Sequence, residues 1–169
     1  MSSIALTDGQ FGLLYNVFSF GLISMLACTV YTLVSQSRVL PKYRAALVMS
    51  SMVTFIAGYH YMRIFNSFHE SFKDEKLMTG TGQGAFNEAY RYVDWILTVP
   101  LLLVEVIAVL ALAKAASSSL INRLVPASAA MIALGYPGEI SSDNNTKIIY
   151  GVLSTLPFLS ILYVLFVEL

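Results

Sequence analysis

Three ionisable side chains stand in an otherwise apolar run, Arg91-Tyr92-Val93-Asp94-Trp95-Ile96-Leu97-Thr98-Val99-Pro100-Leu101-Leu102-Leu103-Val104-Glu105. A charged group near the middle of a bilayer costs at least about 2.5–3.5 kcal/mol, so such residues are functional candidates by default. Asp94 and Glu105 are eleven positions apart, about three helical turns or roughly 16 Å along the axis. Eleven steps of about 100° return to nearly the same azimuth, which puts both carboxylates on one helix face at two depths. Two acids aligned along a membrane normal make a proton path. His60, in the preceding apolar segment, is expected at a depth comparable with Asp94.

Each of these residues also has a plainer reading. Arg91, one turn before Asp94, could neutralise it in a structural ion pair. Glu105 suits a reprotonating donor and equally an inert neutral acid. His60 alone would be a satisfied buried histidine. The combination argues for function, because a second acid without a sequence-near cation needs its own reason. His69 falls in a connection and is expected to be solvated. The histidines offer no metal-ligand spacing, and the chain carries no phosphate-binding glycine loop or nucleophile elbow.

The elements that must hold these residues are membrane helices. The 169-residue chain is 57% hydrophobic and 12% charged, with ten basic and ten acidic residues, and its mean hydropathy is +0.71. That balance leaves no basic stripe for nucleic acid. The single cysteine, Cys28, excludes an intrachain disulfide. The N-terminus has no positive region before its apolar stretch, so no cleaved signal peptide is expected. Five spanning segments are predicted, about 11–33, 43–65, 86–113, 120–135 and 148–169, against a requirement of about 20 residues. Together they form one transmembrane domain over 1–169. Thr7 or Asp8 can cap the first, and Pro41 suits the opening of the second. Pro100 and Pro157 should bend their helices, and Gly135-Tyr136-Pro137-Gly138 is expected to end the fourth.

The connections give a direction. The first carries Arg38, Lys42 and Arg44, and the third is expected to carry Lys114 and Arg123, with no acid in either. The second mixes Glu70, Asp74 and Glu75 with Lys73 and Lys76, and the fourth holds Glu139, Asp143 and Lys147. The positive-inside rule then makes the first and third cytoplasmic and the N-terminus extracellular, in a cell-membrane protein embedded in the lipid bilayer. Glu105 therefore lies toward the cytoplasm and Asp94 toward the outside. Thr79-Gly80-Thr81-Gly82-Gln83-Gly84 reads as a turn, the tip of a small extracellular hairpin. The chain ends Val164-Leu165-Phe166-Val167-Glu168-Leu169 without a basic anchor, and truncation is expected.

The run from Arg91 to Leu102 closely resembles the third helix of the microbial rhodopsins. Similarity to the xanthorhodopsin-like branch of the proteorhodopsins extends over nearly the whole chain. It includes Tyr15-Asn16-Val17-Phe18-Ser19-Phe20, the block from Ile56 to Phe65, the block from Met131 to Ile140, and Leu153-Ser154-Thr155-Leu156-Pro157-Phe158. The resemblance implies an all-α membrane fold, with this chain as helices one to five of a seven-helix bundle. It also implies retinal as cofactor, held as a protonated Schiff base by a lysine on the seventh helix.

By position, the resemblance makes Asp94 the counterion and proton acceptor, Glu105 the proton donor, and Thr98 the middle residue of the outward proton-pump triplet. It makes His60 the partner of the counterion and Arg91 the arginine below it. Retinal-pocket positions fall on Trp95, Thr98, Val99, Leu102, Met131, Gly135, Ser154 and Phe158, and apolar Leu102 resembles the green-absorbing type. Gly151 stands where many relatives have tryptophan, and in xanthorhodopsin-like members this glycine opens a window for a carotenoid antenna. Simple close packing is the alternative for such a small residue. Homo-oligomers, pentamer or trimer, are also implied by the family. The sixth and seventh helices are expected to be absent from this chain, lying on another chain or cut from this one, and Lys114 and Lys147 cannot replace the retinal lysine. The leading reading is thus the N-terminal portion of a light-driven outward proton pump. The alternatives are a photosensor signalling to a partner and a retinal-free truncated homologue.

Overall fold

Thr7 sets the start of the first helix. Its Oγ1 accepts from the Gln10 backbone N–H at 3.2 Å, and the Gln10 side chain accepts from the Thr7 N–H at 3.0 Å. This reciprocal capping box satisfies two donors that the first turn would leave unpaired. The computed structural model describes residues 2–80, 84–87 and 89–169. Its elements are β1 (Ser2–Ala5), α1 (Asp8–Val34), α2 (Arg44–Ser71), β2 (Phe72–Lys73), β3 (Lys76–Thr79), α3 (Tyr90–Leu110), α4 (Lys114–Ile140) and α5 (Asn144–Tyr163). A π-helical turn, Val164–Glu168, follows α5. Each helix packs on the next in sequence, and among the described residues no extended contact joins α1 to α5, so the five form an open arc.

Four of the helical segments, Asp8–Val34, Pro41–Ser71, Tyr90–Leu110 and Asn144–Glu168, are long and apolar enough to cross a membrane. The remaining one, α4, is diluted by Lys114, the Ser117-Ser118-Ser119 run, Asn122 and Arg123 in its first half. Many large apolar side chains point outward, Phe20 (72% exposed) and Phe166 (82%) among them, as a lipid-facing surface requires. Between α1 and α2 the contact is partly polar. Thr29 Oγ1 meets Thr54 Oγ1 at 2.8 Å, and Thr32 Oγ1 meets Ser51 Oγ at 2.7 Å. Hydroxyl pairs of this kind join helices where the surroundings offer no other partner. On the expected cytoplasmic side, Leu103 and Ile107 of α3, Leu120 and Leu124 of α4, Ile161 of α5 and Val164 form the apolar core.

Several boundaries differ from the expectations. The fourth helix does not stop at Gly135. It begins at Lys114 and runs through Pro137 to Ile140. Proline removes only one backbone bond, and packing supports this turn: Gly138 is buried, and a Cβ there would lie 3.3 Å from Tyr150 Cβ of α5. The second helix continues past Phe65 to Ser71, held by Phe68, which is 1% exposed and flanked by Phe11, Phe18 and Phe86. The third starts at Tyr90 rather than 86, because Phe86 donates its N–H to Met78 O (2.8 Å) and Asn87 donates to Ser67 Oγ (3.0 Å). It ends at Leu110, where Ala111 turns left-handed at φ 49°. The fifth begins at Asn144 behind an Asp143 cap. The Asp143 carboxyl lies below the usual carboxylate range because the Thr146 N–H and hydroxyl both donate to it.

These shifts reassign some loop charges. Arg123 sits three turns into α4, where its guanidinium grips both carboxylate oxygens of Glu168. Glu139 and Lys147 belong to α4 and α5, leaving Asp143 between them. The small sheet has the order β1-β3-β2, antiparallel throughout, with Ser3 opposite Met78 and Phe72 opposite Leu77. The hairpin tip is Asp74-Glu75, both at positive φ (49° and 59°), the geometry of a tight two-residue turn. The expected turn in the glycine-rich run centres on 81–83, which lie outside the described residues.

Candidate functional site

Helices α1, α2 and α3, together with the segment before α3, line a half-open cavity of about 400 Å³. Its walls include Phe18, His60, Tyr61, Asn87, Arg91, Asp94 and Trp95. Four residues singled out in the sequence therefore share one wall: His60, Arg91, Asp94 and Trp95. Within this cavity His60 Nδ1 and Asp94 Oδ1 are both buried and have no hydrogen-bond partner among the described residues. Leaving such a group unpaired costs about 1–3 kcal/mol, more when it is charged. Two orphans in one cavity mark a place built for a further polar partner or a proton.

His60 is only 7% exposed. It lies eleven residues before the end of α2, not five, because that helix extends farther than expected. Asp94 is one turn into α3, so α2 projects past the cavity while α3 begins beside it. Thr98, one turn deeper and 3% exposed, donates its hydroxyl to the Asp94 carbonyl at 3.0 Å. Pro100 lacks an N–H for the Ile96 carbonyl, yet α3 continues through it, as membrane helices allow. Glu105 is partly buried near the C-terminal end of α3, between Leu103 and Ile107 of the apolar core. It does not line the cavity.

The Arg91 guanidinium forms an ion pair with Glu139 Oε1 of α4 at 2.8 Å. The plain reading of Arg91 as the ion-pair partner of Asp94 is corrected: Asp94 Oδ1 has no hydrogen-bond partner among the described residues, and Arg91 pairs with Glu139 across the helix interface. Glu139 was not a sequence candidate, because Gly135-Tyr136-Pro137-Gly138 read as a helix end and left it in a loop. The only signal was an acid in a block otherwise rich in glycine and apolar residues. Where α3 meets α4, Tyr92 packs over Gly135, whose added Cβ would come within 3.0 Å of the ring.

A second groove, about 340 Å³, opens between α3, α4 and α5, lined by Tyr92, Gly135, Gly138, Glu139, Lys147, Gly151 and Ser154. A Cβ added at Gly151 meets nothing within 4 Å, so this glycine is not a close-packing residue in the structure. Ser154 donates its hydroxyl to Gly151 O at 3.1 Å. Met131 packs on the apolar core of Leu103, Ile107 and their neighbours. Leu102 and Phe158 are exposed at 44% and 43%, and Val99 is partly buried. The suggested pocket residues thus divide among the cavity, the groove, the core and the exposed surface of the arc. Lys114 opens α4 and Lys147 lies in the first turn of α5, so neither reaches the cavity beside Asp94.

Comparison with known proteins now adds context. The family model described as bacteriorhodopsin-like protein matches residues 13–169. Green-light absorbing proteorhodopsin of the gamma-proteobacterium EBAC31A08 is 36% identical over 127 residues, 74% of this chain and 46% of that protein. Bacteriorhodopsin of Halobacterium salinarum is 40% identical over 76 residues, 45% of this chain and 28% of that one. The crystallographic structure of xanthorhodopsin, a light-driven ion pump with dual chromophore, matches with a TM-score of 0.89 at 43% identity. That match covers 99% of this chain and 68% of the other. A thermophilic rhodopsin structure gives 0.88 at 44% identity, over 97% and 65%. The chain spans about half the length of the proteorhodopsin it matches.

Proposed function

Starting from a chain that belongs to the bacteriorhodopsin-like family, we propose that it forms the first five helices of a retinal-dependent pump that moves protons outward when illuminated. The observation that carries the proposal is the pair of unpartnered buried atoms, Asp94 Oδ1 and His60 Nδ1, facing one cavity. A carboxylate buried with no cation bonded to it suits a site that receives a cationic group. Retinal, when bound through a lysine as a protonated Schiff base, supplies that cation and a light-dependent change in its proton affinity. Trp95, Thr98, Val99, Leu102, Met131, Gly135, Ser154 and Phe158 are the residues proposed to hold it.

The chain's own groups define the route. Asp94 takes up the proton at Oδ1, and His60, whose Nδ1 is buried in the same cavity, is its neighbour there. Thr98 ties its hydroxyl to the Asp94 carbonyl, fixing the turn that presents the acid. Arg91 lies one turn toward the outside, where its charge biases release in that direction. Glu105, three turns toward the cytoplasm and set among apolar side chains, acts as the donor in the second half of the cycle.

The finer assignments follow the same logic. The Gly151 groove is a carotenoid site, supported by its open floor and by the dual chromophore of xanthorhodopsin. Basic residues Arg38, Lys42, Arg44 and Lys114 at the connections after α1 and α3 support a cell-membrane orientation with the N-terminus outside. Apolar outward side chains on α1 such as Phe20, Ile23 and Val30 are available to lipid or to further copies in a trimer or pentamer. The test of the cavity assignment is the colour of the whole retinal-loaded protein. Asp94→Asn should move absorption to longer wavelength, since the counter-charge is lost. An unchanged spectrum would remove Asp94 from the site.

A further inference from the structure

We infer that Asn87 is the junction of the proton's exit route: it stands between the Asp94 cavity and a polar groove along the end of α2, and a proton released from Asp94 leaves past it. The inference rests on the acceptor reading of Asp94 and adds the path beyond it. The groove, about 530 Å³, is lined by Arg63, Asn66, Ser67 and Glu70 of α2, by Tyr90 of α3 and by Asn87. Among the described residues Asn87 alone lines both the groove and the cavity. From Arg63 to Ser71 the groove follows α2 to its last residue, roughly 12 Å of helical rise. It therefore leads from just beyond His60 to the helix end beside the small sheet.

The neighbours of Asn87 put it there. Phe86 donates its N–H to Met78 O at 2.8 Å, which ties the preceding residue to the sheet. Asn87 donates its own N–H to Ser67 Oγ of α2 at 3.0 Å, and its Oδ1 accepts the Ala89 N–H at 3.0 Å. Backbone and amide oxygen thus hold the residue between α2 and the start of α3, and the amide NH2 is the donor left for water. Arg63 and Tyr90 join the two helices on the groove side: the guanidinium donates to the tyrosine hydroxyl at 2.9 Å and lies over its ring. Their sequence neighbours Ile64 and Arg91 line the cavity instead. A buried water makes about 2–4 hydrogen bonds to polar groups. The cavity offers it His60 Nδ1 and Asp94 Oδ1, both without partners among the described residues, and the groove offers Asn66, Ser67 and Glu70. The proton passes from the Asp94 carboxyl to water, leaving the carboxylate, and moves outward between waters. An apolar side chain at the junction would interrupt that chain, because apolar constrictions close by dewetting.

The test is cysteine labelling of the whole protein in sealed vesicles in the dark, with Cys28→Ser removing the native exposed thiol. Ile64→Cys reports on the cavity and Asn66→Cys on the groove, against a membrane-impermeant cationic methanethiosulfonate. Both should react from the same side of the membrane. Asn87→Leu should slow labelling of Ile64→Cys about tenfold, and leave that of Asn66→Cys within about twofold. Asn87→Ser, small and polar, should slow neither. Asn87→Met is the apolar plug to use if the branched leucine prevents folding. With retinal bound, the absorption spectrum of Asn87→Leu should match the parent, and the light-released proton should reach an external pH dye about tenfold later. An unreactive Ile64→Cys beside a reactive Asn66→Cys would overturn the passage. Equal Ile64→Cys rates in the parent and in both apolar variants would remove Asn87 from it. Slowed labelling with an undelayed proton would overturn the exit role, since the passage would then carry water alone. None of these results touches Asp94 as acceptor; that reading fails on an unchanged colour in Asp94→Asn, which leaves the labelling rates as they are.

Discussion

Gly151→Trp separates antenna binding from every other property assigned to the chain. A Cβ at this position meets no atom within 4 Å, and the groove beside it holds about 340 Å³, so an indole can enter without moving α4. The backbone gains slightly, because glycine in a helix interior is about 0.3–0.5 kcal/mol worse than tryptophan. Apolar burial adds little where the alternative surroundings are lipid tails. Thermal stability of the variant should therefore stay within about 1 kcal/mol of the parent, measured as bleaching of the retinal-loaded protein. A carotenoid lying in the groove would lose its place against α5. Loss of about 1.4 kcal/mol of contact weakens it tenfold, and an indole that occupies the space should exceed that. The assay is the excitation spectrum for retinal photochemistry after adding hydroxylated or keto carotenoids. The parent should show a carotenoid band and the variant none, with proton transport equal in both. A band that survives in Gly151→Trp, or one that never appears in the parent with several carotenoids, would refute the groove assignment.

Further expectations concern the proton route and the helix interface. Glu105→Gln should slow the reprotonation half of the photocycle about a hundredfold, the scale of a lost general acid, with the first half unchanged in flash spectroscopy. His60→Ala should shift the midpoint of the acid colour transition, because the imidazole and the Asp94 carboxyl line one cavity. A curve superimposable on the parent would remove His60 from the site. A double-mutant cycle of Thr32→Val and Ser51→Ala, in bicelle unfolding, should give a coupling of about 0.6 kcal/mol and no more than about 1.7.

The helical membrane architecture was legible because hydropathy is a direct readout of what a bilayer requires. So was the neighbourhood of His60, Arg91, Asp94 and Trp95, since helical periodicity and similar segment depths bring them to one level. Helix ends were less legible, for reasons that differ at each one. Pro137 and Gly138 read as a stop in sequence, but a proline costs a single backbone bond and Gly138 gains close contact with Tyr150. The start of α3 is less legible because apolar Phe86 belongs to the small sheet through its bond to Met78. The hairpin tip fell to Asp74-Glu75 because strand pairing, not glycine content, decides which residues face each other across β2 and β3. Glu139 was hidden by the Pro137 error alone. A side chain's role depended on whether one helix had one more turn.

The central claim is outward proton transport through Asp94. It is tested most directly by the external pH of illuminated cells that express the whole protein with retinal. The parent should acidify the medium, and a protonophore should abolish the signal. Asp94→Asn, expressed and coloured to the same level, should give no acidification. Light-driven acidification persisting in Asp94→Asn, or no acidification by the fully coloured parent, would contradict the account.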